Sequence, residues 1–172
     1  MLRTIKLNKY FNLDKEDEFY NDTFQTITNT SNSERKEYHV KNLQKFKEIC
    51  CSFLPLLRKI KINNIKQQSD YLAVIVDNRT DPMLEFIIRH MIIQLHHICS
   101  FQIVCFKSNF KFIKELIDTI SPKIKIIYYK NSKFKSIRDY NQLLKSQIFW
   151  KHINCDKVLI YQIDSYLFNK KN

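Results

Sequence analysis

The chain has 172 residues, 44% of them hydrophobic and 27% charged, which is enough apolar side chain for one domain with a core and excludes global disorder. Its formal charge is +12, but 23 of the 29 basic residues are Lys, beside 24 Ile and 15 Asn; these are the residues of A/T-rich codons, so the charge reads as solvated surface in an AT-biased genome and does not call for a nucleic-acid partner. There is no Gly, which excludes a P-loop and a dinucleotide fingerprint, because both need Gly backbone against phosphate.

Residues 1–33 are polar, rich in Asn and Thr and without a sustained period, and read as a loosely ordered arm. They lack the continuous apolar core of a signal peptide. Ser33 is placed to cap a helix from about Glu34, with Tyr38 or His39, Leu43, Phe46, Cys50 and Phe53 on one stripe. Pro55 is expected to interrupt or kink it, and KINNIKQQSD reads as a linker that ends this second segment at residue 70.

From Tyr71 the pattern becomes regular. YLAVIVD (71–77) is an apolar run of strand length, too continuous for a sheet covered on one side only. Asp81-Pro82 gives a helix cap followed by Pro at the first helical position, and the helix runs to about Ile98 with Glu85, Arg89 and His96 on a polar stripe. This is the most apolar stretch of the chain, yet Arg89, His90, His96 and His97 break it, so no membrane span is expected. FQIVCF (101–106) is the second strand, Asn109 to Thr119 the second helix of this series, and KIKIIYY (123–129) the third strand. Ser136-x-x-Asp139 resembles a capping box opening a helix to about Lys151, and KVLIYQI (157–163) is the fourth strand.

The series β-α-β-α-β-α-β over 71–172 predicts an α/β fold: a mostly parallel sheet with helices on both faces, preceded by a helical extension. In such sheets ligands sit beyond the carboxyl ends of the strands. Those ends are Asp77-Asn78-Arg79, Phe106-Lys107-Ser108, the basic loop Lys130 to Lys135, and Asp164-Ser165. Carboxylates, an Arg and several Lys on one edge form the composition expected of a site for a metal-bound phosphate ester.

The five cysteines form no CxxC pair, and their odd number suits a reducing, cytoplasmic compartment. His96-His97-x-Cys99 is not expected to hold zinc, because adjacent helical side chains point about 100° apart.

VIVDNRTDPMLEFIIRHMI, FQIVCFKSNFKFIKEL and DYNQLLKSQIFWKHINCDKVLIYQIDSYL, within residues 71–168, resemble a little-characterised GT-A-like glycosyltransferase family with members in bacteria, eukaryotes and large DNA viruses. The most specific stretch is Tyr140 to Trp150 together with Gln162-x-Asp164. The resemblance implies a half-domain that binds a nucleoside-diphosphate sugar, with Mn²⁺ or Mg²⁺ held where the family places D-x-D. Here that triplet is Gln162-Ile163-Asp164, so Asp164 is the implied metal ligand and Gln162 a neutral helper. Position in the family fold nominates Asp77 for base or ribose contact, Arg79 for phosphate, and Arg138 and Asn141 for the donor.

A transferase of this kind continues past the metal strand to build its acceptor pocket, whereas SYLFNKKN closes this sequence. The expectation is therefore a donor half that does not transfer sugar by itself: a truncated gene, a fragment working with a second chain that supplies the acceptor half, or a remnant that binds without reacting. Two other readings stand beside it. One is a non-catalytic interaction domain on a degenerate transferase scaffold. The other is a nucleic-acid-binding basic domain using Lys123 to Arg138 with Tyr128, Tyr129 and Phe134 interleaved, which steep salt dependence would reveal.

Overall fold

The structure, a computed structural model, describes residues 32–130 and 136–167. All but the end of the expected polar arm, most of the basic loop after Lys130, and the residues after Leu167 lie outside that range. The described elements are α1 (Asn32–Lys59), β1 (Tyr71–Val76), α2 (Pro82–Leu95), β2 (Ser100–Phe106), α3 (Phe110–Ile120), β3 (Lys125–Tyr129), α4 (Ile137–Lys145), the single turn α5 (Gln147–Trp150) and β4 (Lys157–Tyr161). Two compact units divide the chain, and the boundary falls inside α1 rather than before Tyr71. Residues 32–46, all helical, belong to the first; Lys47–Leu167, which contains the whole sheet, is the second.

The sheet of the second unit is four-stranded and parallel throughout, in the order β3-β2-β1-β4. The chain steps outward from β1 to β2 to β3 and then crosses back to pair β4 with the other side of β1. Right-handed crossovers put α2 and α3 on one face and α4 on the opposite face. Side-chain alternation agrees: Leu72, Val74 and Val76 of β1 join Val104, Phe106 and Phe149 in one apolar cluster, with Tyr140, Leu143 and Leu144 of α4 against it. The chain is thus an α/β protein with a Rossmann-like parallel sheet and a preceding helix, as the strand pattern predicts.

The central strands β1 and β2 are buried along almost their whole length, whereas β3 and β4 are made of exposed and half-buried residues up to the buried Tyr161 that ends β4. The expectation that every strand is covered on both faces therefore holds only for the middle pair, because each outer strand has a sheet neighbour on one side. Helix α2 starts as the sequence indicates: Asp81 accepts from the Met83 amide at 2.9 Å and Pro82 occupies the first turn. It ends at Leu95, before the expected Ile98. Residues Met83 to Ile92 are all buried, Glu85 and Arg89 included, so the supposed polar stripe faces inward. Arg58 of α1 forms a double hydrogen bond to Glu85 at 2.8 and 2.6 Å, Arg89 donates to the same carboxylate at 2.8 Å, and Arg89 reaches Thr119 of α3 at 2.7 Å. Burial raises the Glu85 pKa, but the Arg58 and Arg89 hydrogen bonds outweigh it and hold the carboxyl below its ordinary value.

Pro55 does not end α1, which continues to Lys59. It lies close to the end of the helix, where the missing N–H removes a single backbone bond. The buried stripe of this part of α1 is Cys50, Leu54 and Leu57, spaced i, i+4, i+7; Phe53 is only half-buried. In a chain without glycine, Asn64 takes the left-handed conformation (φ 60°) that the α1–β1 linker needs. The expected long helix after Ser136 is two: its capping box is intact, but Ser146 terminates α4 and caps α5 through the Phe149 amide.

Candidate functional site

The strand order reverses between β1 and β4, and there the carboxyl ends of two adjacent strands turn away from each other. This opening is the crevice in which parallel α/β sheets receive ligands. Ile75 of β1 pairs with Tyr161 of β4, so Asp77 and Asp164 leave neighbouring strands a few residues beyond a shared register.

Asp77 is 4% exposed and extends β1, its amide donating to Val104 of β2 at 3.2 Å. Its carboxylate accepts from the Arg79 backbone amide at 2.8 Å and from the Arg79 side chain, with Nε at 2.9 and 3.1 Å from the two oxygens and Nη2 beside Oδ2. The guanidinium is thereby held in a fork while about half of its surface stays open to solvent. These hydrogen bonds hold Arg79 above its ordinary pKa against the opposing effect of burial, and the charges of Asp81 and Asp164 add to the shift. Asp164 is therefore within the electrostatic reach of Arg79.

Asn109, at the start of α3, locks this loop. It is 1% exposed; its Nδ2 donates to the carbonyls of Asp77 at 2.9 Å and Arg79 at 3.1 Å, while its Oδ1 accepts from the Phe106 amide at 2.9 Å. The neighbouring Ser108 hydroxyl donates to the Asn78 carbonyl at 2.9 Å. In the sequence Asn109 reads only as the beginning of a helix, yet it makes no side-chain cap bond there and instead joins the loops after β1 and β2. The local signal is only the polar run Lys107 to Asn109 between Phe106 and Phe110; the carbonyls to which its Nδ2 donates lie 32 and 30 residues away in sequence. Lys47 was likewise unforeseen: its ammonium pairs with Asp81 at 2.5 Å. Burial raises the Asp81 pKa, but Lys47 and the Met83 amide outweigh it and hold the carboxyl below its ordinary range.

On the β4 side, Gln162 to Ser165 form a tight turn: the Ser165 amide donates to the Gln162 carbonyl at 3.0 Å, and the Gln162 amide donates to the Ser165 hydroxyl at 2.9 Å. Gln162 and Asp164 are both exposed on this turn, and among the described residues the Asp164 carboxylate has no hydrogen bond or ion pair. Arg138 and Asn141 stand exposed on the first turns of α4, and among the described residues neither bonds to Asp77, Arg79 or Asp164. The structure thus sets Asp77 and Arg79 just beyond β1 and Gln162 and Asp164 just beyond the adjacent β4, and places Arg138 and Asn141 on the surface of α4.

No group of three or more His, Cys, Asp or Glu able to hold a metal occurs among the described residues. Both oxygens of Asp77 are taken by Arg79, which leaves Asp164 as the open carboxylate of this edge. One carboxylate suits a hard cation whose remaining ligands are phosphate oxygens and water. The described cysteines are all free, and no described helix is long and apolar enough to cross a membrane. Of the basic run from Lys123 to Arg138, residues 131–135 lie outside the described range.

The profile of a family described as "Protein of unknown function (DUF5672)" matches residues 123–172, the stretch that carries β3, α4, α5, β4 and Asp164. No curated protein and no solved structure matches the chain.

Proposed function

We propose that this protein binds a nucleoside-diphosphate sugar at the carboxyl edge of the sheet, between the ends of β1 and β4. The observation that carries the reading is the placement of the Asp77-clamped Arg79 and the open Asp164 carboxylate beyond the ends of adjacent strands, at the point where the strand order reverses. Asp77 positions the guanidinium rather than facing a ligand itself, and Asn109 keeps the backbone of that loop fixed. Arg79 then presents its open side to a phosphate oxygen. Because Asp77 neutralises much of that guanidinium, a diphosphate needs further positive charge. A Mn²⁺ or Mg²⁺ ion held by Asp164, with Gln162 as a neutral helper, would neutralise charge on the departing diphosphate. Arg138 and Asn141 are assigned to the outer part of the donor. Donor binding is the proposed activity.

The test is a thermal-shift titration with UDP, GDP and their sugars, in Mn²⁺ or EDTA, on wild type and Asp164→Ala. Near 100 times Kd, linkage gives about 2.7 kcal/mol of stabilisation. A metal-dependent rise in melting temperature that Asp164→Ala removes is the expected result; no shift with any nucleotide sinks the reading.

A second reading, a non-catalytic interaction domain, is favoured by one observation. Ile137, Ile148 and Trp150 of α4 and α5 are large apolar side chains left 45–81% exposed. Light scattering of the purified chain beside a variant with these three changed to Ser checks it.

A further inference from the structure

The opposite edge of the sheet, where the strands begin, holds a cleft of about 1120 Å³. Its walls are the linker 67–70, the starts of β2 and β3, and the turn 154–157 that enters β4. Its size is that of small-molecule sites.

The floor of the cleft is unusual for a central strand. Along β2, alternation sets Ser100, Gln102, Val104 and Phe106 on one face. Val104 and Phe106 belong to the apolar cluster under α4 and α5, but Ser100 and Gln102, toward the amino end, line the cleft instead. Ser100 is satisfied through the Tyr71 carbonyl at 3.3 Å. Gln102 is not: it is 1% exposed, and its Nε2 has no hydrogen-bond partner. An unpaired buried amide costs about 1–3 kcal/mol, and a Leu of similar volume there would avoid that cost.

The rim supplies the matching charge. Lys123, Lys125 and Lys157 border the cleft, with Asp70 and Asp156. Among the described residues none of the three lysines pairs with a carboxylate. Lys125 donates to the His152 carbonyl at 3.0 Å, and Lys157 reaches the Tyr71 hydroxyl at 3.4 Å with its ammonium 4.8 Å from the centre of that ring. These are neutral acceptors that an ionised oxygen would displace, because charge-assisted hydrogen bonds are about twice as strong as neutral ones.

We infer that the cleft binds a small oxyanion, the Gln102 carboxamide donating from the floor and the Lys123, Lys125 and Lys157 ammonium groups from the rim. The site is distinct from the carboxyl edge and stands or falls independently of the nucleotide-sugar reading. Phosphate and carboxylate share the required chemistry, so inorganic phosphate and succinate serve as separate probes.

The experiment is a titration of the full ¹⁵N-labelled chain with each probe, followed through the Gln102 side-chain amide and the backbone amides of residues 100–102 and 123–125. Saturable shifts at these signals, with affinity weakened about tenfold or more in Gln102→Glu, are the expected result. Which probe binds more tightly identifies the anion class. A Lys123→Gln, Lys125→Gln double variant, altered only at the rim, should weaken binding without lowering the melting temperature. The inference is overturned if neither probe gives saturable shifts, if the shifts fall only at the carboxyl edge, or if Gln102→Leu binds as tightly as wild type.

Discussion

Two buried carboxylates, Glu85 and Asp77, are each clamped by arginine, and the difference between them separates structure from function. Glu85 lies between helices: Arg58 of α1 and Arg89 of α2 take its oxygens, and Arg89 goes on to Thr119 of α3, whose hydroxyl donates to Leu116. That network ties three helices together, although its outer member Arg58 is half exposed, as Arg79 is. Asp77 holds an arginine only two residues away, and Asn109 fixes the loop between them. Its network joins two loops at one edge of the sheet and ends in a guanidinium with an open side. A buried ion pair that crosslinks elements stabilises the fold if all its groups are satisfied. One that is local joins fewer elements and instead presents a fixed charge at the sheet edge.

The largest expected effect breaks the interhelix network. Glu85→Ala leaves Arg89 buried without its counter-ion, which should cost about 3–5 kcal/mol of unfolding free energy in urea. A loss below about 1 kcal/mol would mean that the network does not crosslink the helices as described.

Acid should bring the next effect, through His90 on the same helix as Glu85. Its ring is 1% exposed, stacks on Tyr166 at 4.1 Å and lies parallel to Phe86 at 5.9 Å, and its Nδ1 has no hydrogen-bond partner. Burial lowers its pKa from 6.5 to about 4, against a raising effect from the Leu167 backbone. The unfolded chain therefore binds this proton at a higher pH than the folded chain does. The stabilisation is complete above pH 6.5 and is lost as pH falls toward 4, by up to about 3 kcal/mol. His90→Phe keeps the stack and should flatten the melting temperature between those limits. An unchanged slope would remove His90 as the cause.

Asn109→Ala sharpens the comparison from the open side. It strands the Phe106 amide and two loop carbonyls, at a cost of about 1–3 kcal/mol, and should loosen the Arg79 loop so that nucleotide affinity falls together with stability. Arg79→Gln leaves the buried Asp77 carboxylate with the backbone amide of residue 79 as its remaining described partner, so the unfolding free energy in urea should fall by about 1–3 kcal/mol. Nucleotide affinity, measured by fluorescence competition, should still fall about tenfold.

Much of this was legible in the sequence where the signal is local. The strand cores, the Asp81-Pro82 helix start and the Ser136 capping box depend on neighbouring residues, and all are found where the pattern placed them. The parallel order of β1 and β4 also puts the chain positions of Asp77 and Asp164 beyond the carboxyl ends of adjacent strands. What could not be read depends on distant chain. Glu85 and Arg89 look like a solvent stripe on α2 until α1 brings Arg58 over them. Asn109 looks like a helix start because its partners belong to another loop. Gln102 looks like an ordinary strand residue until the layer of α4 and α5 leaves the amino end of its face uncovered. The half-exposed pattern of β3 and β4 follows from strand order, which no single strand records.

Isothermal titration of UDP with Mn²⁺ into wild type, Asp164→Ala and Gln102→Leu tests most directly the claim that the carboxyl edge is the nucleotide-binding end. The expected result is saturable, EDTA-sensitive binding to wild type and to Gln102→Leu, with none to Asp164→Ala. Equal binding to all three, or none to wild type, would contradict it.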